Sequence, residues 1–350
     1  MSNIQIDLYS DTGTRPTPGM RQAMAWAEVG DEQKKEDPSV NRLVEMVCDL
    51  LGKEDAVYLP SGTMCNEVAI RVHCRLGDEM ILDCTAHPWH SEAGGPAAIS
   101  GVGLQPLAGA RGIFTAAQVE AAIRPVDSNH APRTRLISIE QTSNAGGGSI
   151  WPLKTIQEVC AVADRRHLAK HMDGARLLNA VVATAIPAKE YAAPFDSVWI
   201  DFSKGLGAPV GAALAGSKEF IREAWRHKTQ LGGAMRQAGI IAAGAIYALE
   251  HHVERLAEDH ANAQTLAQGL AQVEGITVEP VETNMVFYDV SGLGITAEAF
   301  NRALMARGMR CSVSGPTRLR AVTHLDVSST QIEEALEIMQ AVAKVVRKKG

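Results

Sequence analysis

Residues 197–214, SVWIDFSKGLGAPVGAAL, decide how the chain is read. Val198, Trp199, Ile200 and Phe202 form a β-branched and aromatic run that stops at Ser203-Lys204, and Gly205, Gly207, Pro209 and Gly211 punctuate the way to a second apolar run. The pattern predicts strand, tight loop, strand. A lysine at the end of a buried strand either snorkels to water past the glycines or is desolvated, which favours the neutral amine. A neutral amine can form a Schiff base with a carbonyl.

Upstream, HLAKHMDGARLLNAVVA (167–183) places Asp173 after a short apolar stretch and before a helical pattern. In a chain of alternating strands and helices, both groups fall at the carboxyl ends of parallel strands, the edge at which such sheets bind ligands. An anionic Asp173 there suits a protonated pyridine nitrogen, and Lys204 suits the aldehyde of pyridoxal phosphate, a cofactor used as an electron sink.

The 350 residues exceed one small core and favour a catalytic domain with a smaller lobe. A net charge of -6 argues against nucleic acid as the main partner. The opening MSNIQIDLYSD lacks a basic region followed by an apolar one, and the sequence has no apolar run of membrane-spanning length. A cytoplasmic protein is expected, with no membrane partner. The six cysteines follow no CxxC spacing and read as buried free thiols.

Six segments in order, LPSGTMCNE (59–67), HMDGARLLNA (171–180), FSKGLGAPVG (202–211), GGAMRQAG (232–239), EDHANA (258–263) and VTHLDV (322–327), resemble the low-specificity threonine aldolases. IDLYSDTGTRPTPGM (6–20) and EDPSVN (36–41) belong to the same pattern. The resemblance implies an α/β fold of the fold-type I pyridoxal-phosphate class. That fold has a mostly parallel central sheet with helices on both faces and a small α+β C-terminal domain. The expected division is an arm over 1–30, a large cofactor domain over 31–255 and a small domain over 256–350.

The resemblance also assigns roles. Lys204, His87 and Asp173 are the expected catalytic residues, with His87 stacked on the pyridine ring and near the substrate hydroxyl. Ser61, Gly62 and Thr63 form a phosphate cradle at a helix start, where free N–H groups favour an anion. Arg236 reaches a phosphate across a subunit interface, which implies a homodimer or homotetramer with shared sites. Arg176 and Arg320 bind the carboxylate of an amino-acid substrate, and Ser10 contacts substrate. Arg318 reads as a strand-edge neighbour of Arg320. His87 and His90 lack a third ligand, so no metal is expected.

Three departures bear on the substrate. The usual ENTHN becomes EQTSN, so Ser143 stands where a second active-site histidine is expected, and a serine cannot serve as a base near neutral pH. Lys34 and Lys35 replace a tyrosine and a glycine, and Ser91 stands where some relatives carry an aromatic. The expected reaction is cleavage of an L-β-hydroxy-α-amino acid to glycine and an aldehyde, with a β-substituent larger or more negative than threonine's methyl. The alternatives are a β-eliminating lyase, an amino-acid racemase, or a binding protein on the same scaffold.

Overall fold

The protein is described from a computed structural model that covers residues 4–347. It divides into two compact units, one of residues 16–253 and one of residues 4–15 with 254–347. The arm expected over 1–30 is therefore shared between them. Its first strand pairs in the C-terminal unit, whereas the Pro18–Ala25 helix packs on the Gly239–His251 helix of the large unit. Among the described residues no helix is long and apolar enough to cross a membrane.

Twelve strands, numbered in chain order, run β1 Ile6–Leu8, β2 Asp55–Leu59, β3 Asp78–Asp83, β4 Gly103–Leu107, β5 Arg133–Glu140, β6 Ala169–Gly174, β7 Ser197–Asp201, β8 Ala212–Gly216, β9 Thr277–Val278, β10 Met285–Asp289, β11 Met309–Val313 and β12 Arg318–Val322. The large unit holds a seven-stranded sheet in the order β2-β8-β7-β6-β5-β3-β4. Only β8 runs against the others. All five residues of β7 and of β8 are buried, as continuous apolar runs require of strands covered on both faces.

The turn between β7 and β8 needs its last glycine. Gly211 has φ +112°, and a Cβ there would come within 2.1 Å of the Tyr58 hydroxyl, which donates to the Val210 carbonyl. Helices Gly62–His73 and Lys218–Gln230 cover the sheet through Val57, Leu59, Trp199, Ala212 and Leu214. The Pro38–Leu51 helix packs on β2 and β8, with Asp37 as its N-cap and Gly52 in the left-handed region ending it. Val40, Leu43, Val47 and Leu51 form its buried stripe, as their spacing predicts.

In the second unit β1-β11-β12-β10-β9 form a five-stranded sheet, with β1 parallel to β11 and the remaining pairs antiparallel. Leu266, Leu270, Phe300, Leu304, Ile332 and Met339 bring the three helices Leu256–Ala271, Ala297–Met305 and Ser329–Arg347 into its core.

One charged pair in the large unit is fully buried. Lys228 Nζ donates to both Glu32 carboxylate oxygens at 2.9 Å, and neither side chain has any exposure. It also lies 4.2 Å from the centroid of the Trp225 ring. Burial lowers the Lys228 pKa, and the bidentate carboxylate opposes that. Lys228→Met leaves Glu32 charged and unpaired, and is expected to destabilise by about 3–5 kcal/mol, whereas Lys228→Met with Glu32→Leu recovers most of the loss. Urea denaturation of the three proteins measures both.

Candidate active site

Parallel strands β5, β6 and β7 end side by side, because Glu140 registers with Asp173 and Asp173 with Trp199. A polar cluster is assembled across these ends and the start of the Gly62–His73 helix. Its centre is Asn66, buried on that helix. Asn66 Nδ2 donates to Asp173 Oδ2 at 2.9 Å and to Glu92 Oε1 at 2.8 Å. Asn66 Oδ1 accepts from the Trp199 indole at 2.7 Å and faces His171 Nε2 at 3.1 Å. The other Asp173 oxygen accepts from the backbone N–H of Ala175.

Asp173 and Lys204 lie at neighbouring strand ends. Lys204 Nζ sits 2.9 Å from Asp201 Oδ2 and 5.5 Å from the centroid of the Trp199 ring, with its side chain 18% exposed. The choice between water and a desolvated amine omitted the partner that the chain itself supplies. Asp201 is held in place because its Oδ1 accepts from both the backbone and the hydroxyl of Ser203.

His87 opens a short helix after β3, and its backbone N–H donates to Glu140 Oε2. Its Nδ1 faces Glu92 Oε1 at 2.8 Å. That bond raises the imidazole above its usual range against the opposing effect of burial, and Asp173, Glu92 and Glu140 add to the rise through their charges. Burial pushes Glu140 up to about 7, with Asp173 adding to it, although Glu140 also accepts from the N–H of Asn144. Glu67, the next residue after Asn66, is pushed up to about 8 by burial and by Glu92 beside it.

The far side of the cluster is neutral. Burial holds His171 down at about 3 and His73 at about 4. Ser197 Oγ lies 2.8 Å from His171 Nδ1 and 2.7 Å from His73 Nε2. One arrangement of protons satisfies every bond: His73 Nε2–H to Ser197, the serine hydroxyl to His171 Nδ1, and His171 Nε2–H to Asn66.

The remaining expected residues are placed as follows. Ser61 caps the Gly62–His73 helix by accepting from Met64 N–H, and both Ser61 and Thr63 are exposed. At Gly62 a Cβ would come within 2.3 Å of the Trp199 ring, so this helix start lies against the residue that bonds Asn66. Arg176 is buried just beyond β6, its backbone N–H on the Gln141 carbonyl. Arg236 pairs with Asp31 at 2.9 Å and its side chain is 62% exposed. Ser143 is buried: its Oγ is 3.5 Å from Thr85 Oγ1, and a Cβ on Gly112 or Gly146 would collide with it.

In the second unit Ser10 caps a short 3-10 turn through Thr12. Arg320 donates to Ser312 Oγ and the Tyr9 carbonyl. Arg318 is committed to both Glu279 oxygens and lies over the Phe287 ring, at the first residue of β12, the central strand of its sheet and not an edge. Lys35 adopts φ +58°, a left-handed conformation that explains why the resembling pattern has glycine there. Ser91 is exposed at the end of the His87–His90 turn.

The model of the beta-eliminating lyase family matches residues 7–292. The low-specificity L-threonine aldolase of Escherichia coli K12 is 43% identical over 330 residues, 94% of this chain and 96% of that one. The low-specificity L-threonine aldolase 1 of Arabidopsis thaliana is 40% identical over 341 residues, 96% of this chain and 95% of its own. The chain belongs to the low-specificity L-threonine aldolase family. Its fold matches the Leishmania major threonine aldolase with a TM-score of 0.83 at 18% identity, covering 97% and 99% of the two chains. Family members share the fold-type I architecture, and pyridoxal phosphate is the cofactor typical of the superfamily.

Asn66, Glu67, Glu92, Glu140, Trp199 and Asp201 were not singled out from sequence. One signal was present: Asn66 and Glu67 interrupt the otherwise apolar stretch Met64–Ile70, which a purely structural helix face would avoid.

The perturbed groups dictate a pH dependence of stability. A carboxyl whose folded pKa is raised keeps its proton in the native state after the unfolded chain has lost it, so stability falls as pH rises towards the folded value. Depressed histidines act oppositely, and their contribution is complete once the unfolded imidazoles are neutral. Stability is therefore expected to decline as pH rises towards about 7 and about 8, the folded values of Glu140 and Glu67, each contribution levelling off above its own value. Each carboxyl still protonated contributes a slope of about 1.4 kcal/mol per pH unit. Urea denaturation across this range checks it, and Glu67→Gln is expected to remove the upper part of the decline.

Proposed function

We propose that this chain is a pyridoxal-phosphate-dependent aldolase that cleaves an L-β-hydroxy-α-amino acid into glycine and an aldehyde. The observation that carries the reading is that Asp173 and His87 are joined by hydrogen bonds through Asn66 and Glu92, while Lys204 follows the neighbouring strand and lies 5.5 Å from the ring of Trp199, whose indole donates to the same Asn66. This donor set fits the cofactor: a buried carboxylate for a ring nitrogen, an amine for an aldehyde, and an exposed helix start carrying Ser61 and Thr63 for a phosphate. When bound, pyridoxal phosphate supplies an electron sink for the pair left by the broken Cα–Cβ bond.

The chain's own residues do the rest. Asp173, fixed by Asn66 and Ala175, presents a carboxylate that cannot swing away. His87, with Nδ1 tied to Glu92, has Nε2 as the ring atom to take the hydroxyl proton of the substrate. Ser143 shares no bond with this framework, which leaves that task to one imidazole. Arg176 is assigned the carboxylate of the amino acid and Arg236 a phosphate of a partner protomer, so a homodimer or homotetramer belongs to the same reading. Arg320 is assigned a carboxylate role on the resemblance alone.

Incubating the protein, loaded with pyridoxal phosphate, with threonine, phenylserine and hydroxyaspartate tests this. Glycine and an aldehyde are expected, with one of the two bulkier or more acidic substrates preferred. Pyruvate with ammonia would instead indicate a lyase, and loss of optical activity alone a racemase. Threonine preferred by a wide margin would refute the substrate assignment. Lys204→Ala is expected to abolish turnover and borohydride-trappable cofactor, and His87→Asn to lower kcat by about 10²–10⁴.

A further inference from the structure

We infer that Glu67 and Glu92 form a proton-sharing carboxyl pair behind His87, and that Glu67 acts through Glu92 as a positioning residue for the proton transfer assigned to His87. The inference rests on the reading of His87 in the proposed reaction. Three buried carboxyl oxygens, both of Glu67 and Oε2 of Glu92, have no N–H or hydroxyl donor. The two carboxyls lie within hydrogen-bonding range of each other, so their partner is each other. The backbone closes over them: a Cβ on Gly95 would come within 1.9 Å of Glu67 Oε1. Ionising both of two carboxyls in contact inside a protein is costly, and one proton between them satisfies oxygens that otherwise have nothing.

The pair is wired to the site in one direction. Glu92 Oε1 is occupied by His87 Nδ1 and Asn66 Nδ2, and its Oε2 is left for the Glu67 hydroxyl. Glu92 is thereby the anion of the pair, and Glu67 the acid. The other charged or titratable groups facing the cluster are Asp173 on β6, Glu140 on β5 and Cys65 on the helix of Glu67.

While Glu67 keeps its proton, the charge of Glu92 is shared between two donors. His87 Nε2 can then take the hydroxyl proton of the substrate: the O–H bond breaks, the N–H bond forms, and the imidazolium is neutralised by Glu92 without any proton leaving the pair. Loss of the Glu67 proton sets a second anion beside Glu92 and raises the proton affinity of His87, so the ionisation of the imidazole is tied to that of the pair. The coupling is reciprocal, since whatever Glu67 does to the imidazole, the imidazole does to Glu67. Burial and Glu92 place that ionisation near pH 8.

The test reads His87 directly, in protein without substrate. ¹⁵N-histidine NMR, with the resonance assigned by its loss in His87→Gln, is recorded across a pH titration. Two inflections are expected, the upper near 8, and Glu67→Gln should retain the lower and lose the upper, because the amide donates to Glu92 but cannot ionise. Glu92→Gln is the second variant, should the first not fold: there the upper inflection should also vanish. An upper inflection that survives in either folded variant overturns the inference. In the loaded enzyme, the pH at which kcat/KM rises as His87 becomes available as a base should shift in Glu67→Gln while KM at neutral pH stays. The NMR result needs no turnover, so a failure to form glycine and aldehyde would remove the proposed reaction and leave the coupling standing.

Discussion

The amide of Asn66 is the constraint on which the rest of the large unit's polar interior depends. It donates twice and accepts from two sides, tying one helix to two strands and to the loop that follows His87. No other side chain of its size can do this, because an amide alone presents two donors and a two-lone-pair acceptor in one plane. An aspartate would set a third anion against Asp173 and Glu92, and a leucine would take one hydrogen-bond partner from each of Asp173, Glu92, Trp199 and His171. Each such group costs about 1–3 kcal/mol when left unsatisfied in a dry interior.

The amide also separates two electrostatic regimes. Towards β7 lies a relay of neutral groups, His171, Ser197 and His73, whose imidazoles burial keeps uncharged. Towards the strand ends lie the carboxyls Asp173, Glu92 and Glu140 and the Lys204–Asp201 pair. A low dielectric makes both regimes costly if a member is lost and rigid if all are satisfied. Such rigidity is what a site needs when its groups must hold their positions before a substrate arrives.

Local sequence carried much of this. The strand, turn and strand around Lys204 follow from β-branched residues and glycines, the Asp37 cap and Gly52 bracket a helix, and the alternating pattern of the C-terminal third marks an α+β unit. Asp173 and Lys204 were visible because each follows a strand signal. What was not visible is pairing at long range. Asn66 meets Asp173 and Trp199 across more than a hundred residues, and nothing near Glu92 states that its carboxyl will face Glu67. Asp201 was overlooked for the opposite reason, since it is so close to Lys204 that it read as part of the strand. The first strand shows a third case: residues 6–8 belong with residues 309–311, a parallel pairing that no local periodicity encodes.

Ser143 shows how a local change redistributes chemistry without disturbing the fold. Its hydroxyl is packed beside Thr85 and the backbones of Gly112 and Gly146, where a Cβ on either glycine would collide with it. A small side chain at 143 and an absence of side chain at 112 and 146 share the same volume. In the proposed reaction, proton handling then falls to His87, the imidazole bonded to the framework of Asp173 through Glu92 and Asn66. A single imidazole serving alone has to be tuned by its surroundings instead of by a second ring, and the buried acids behind it are the groups placed to do so.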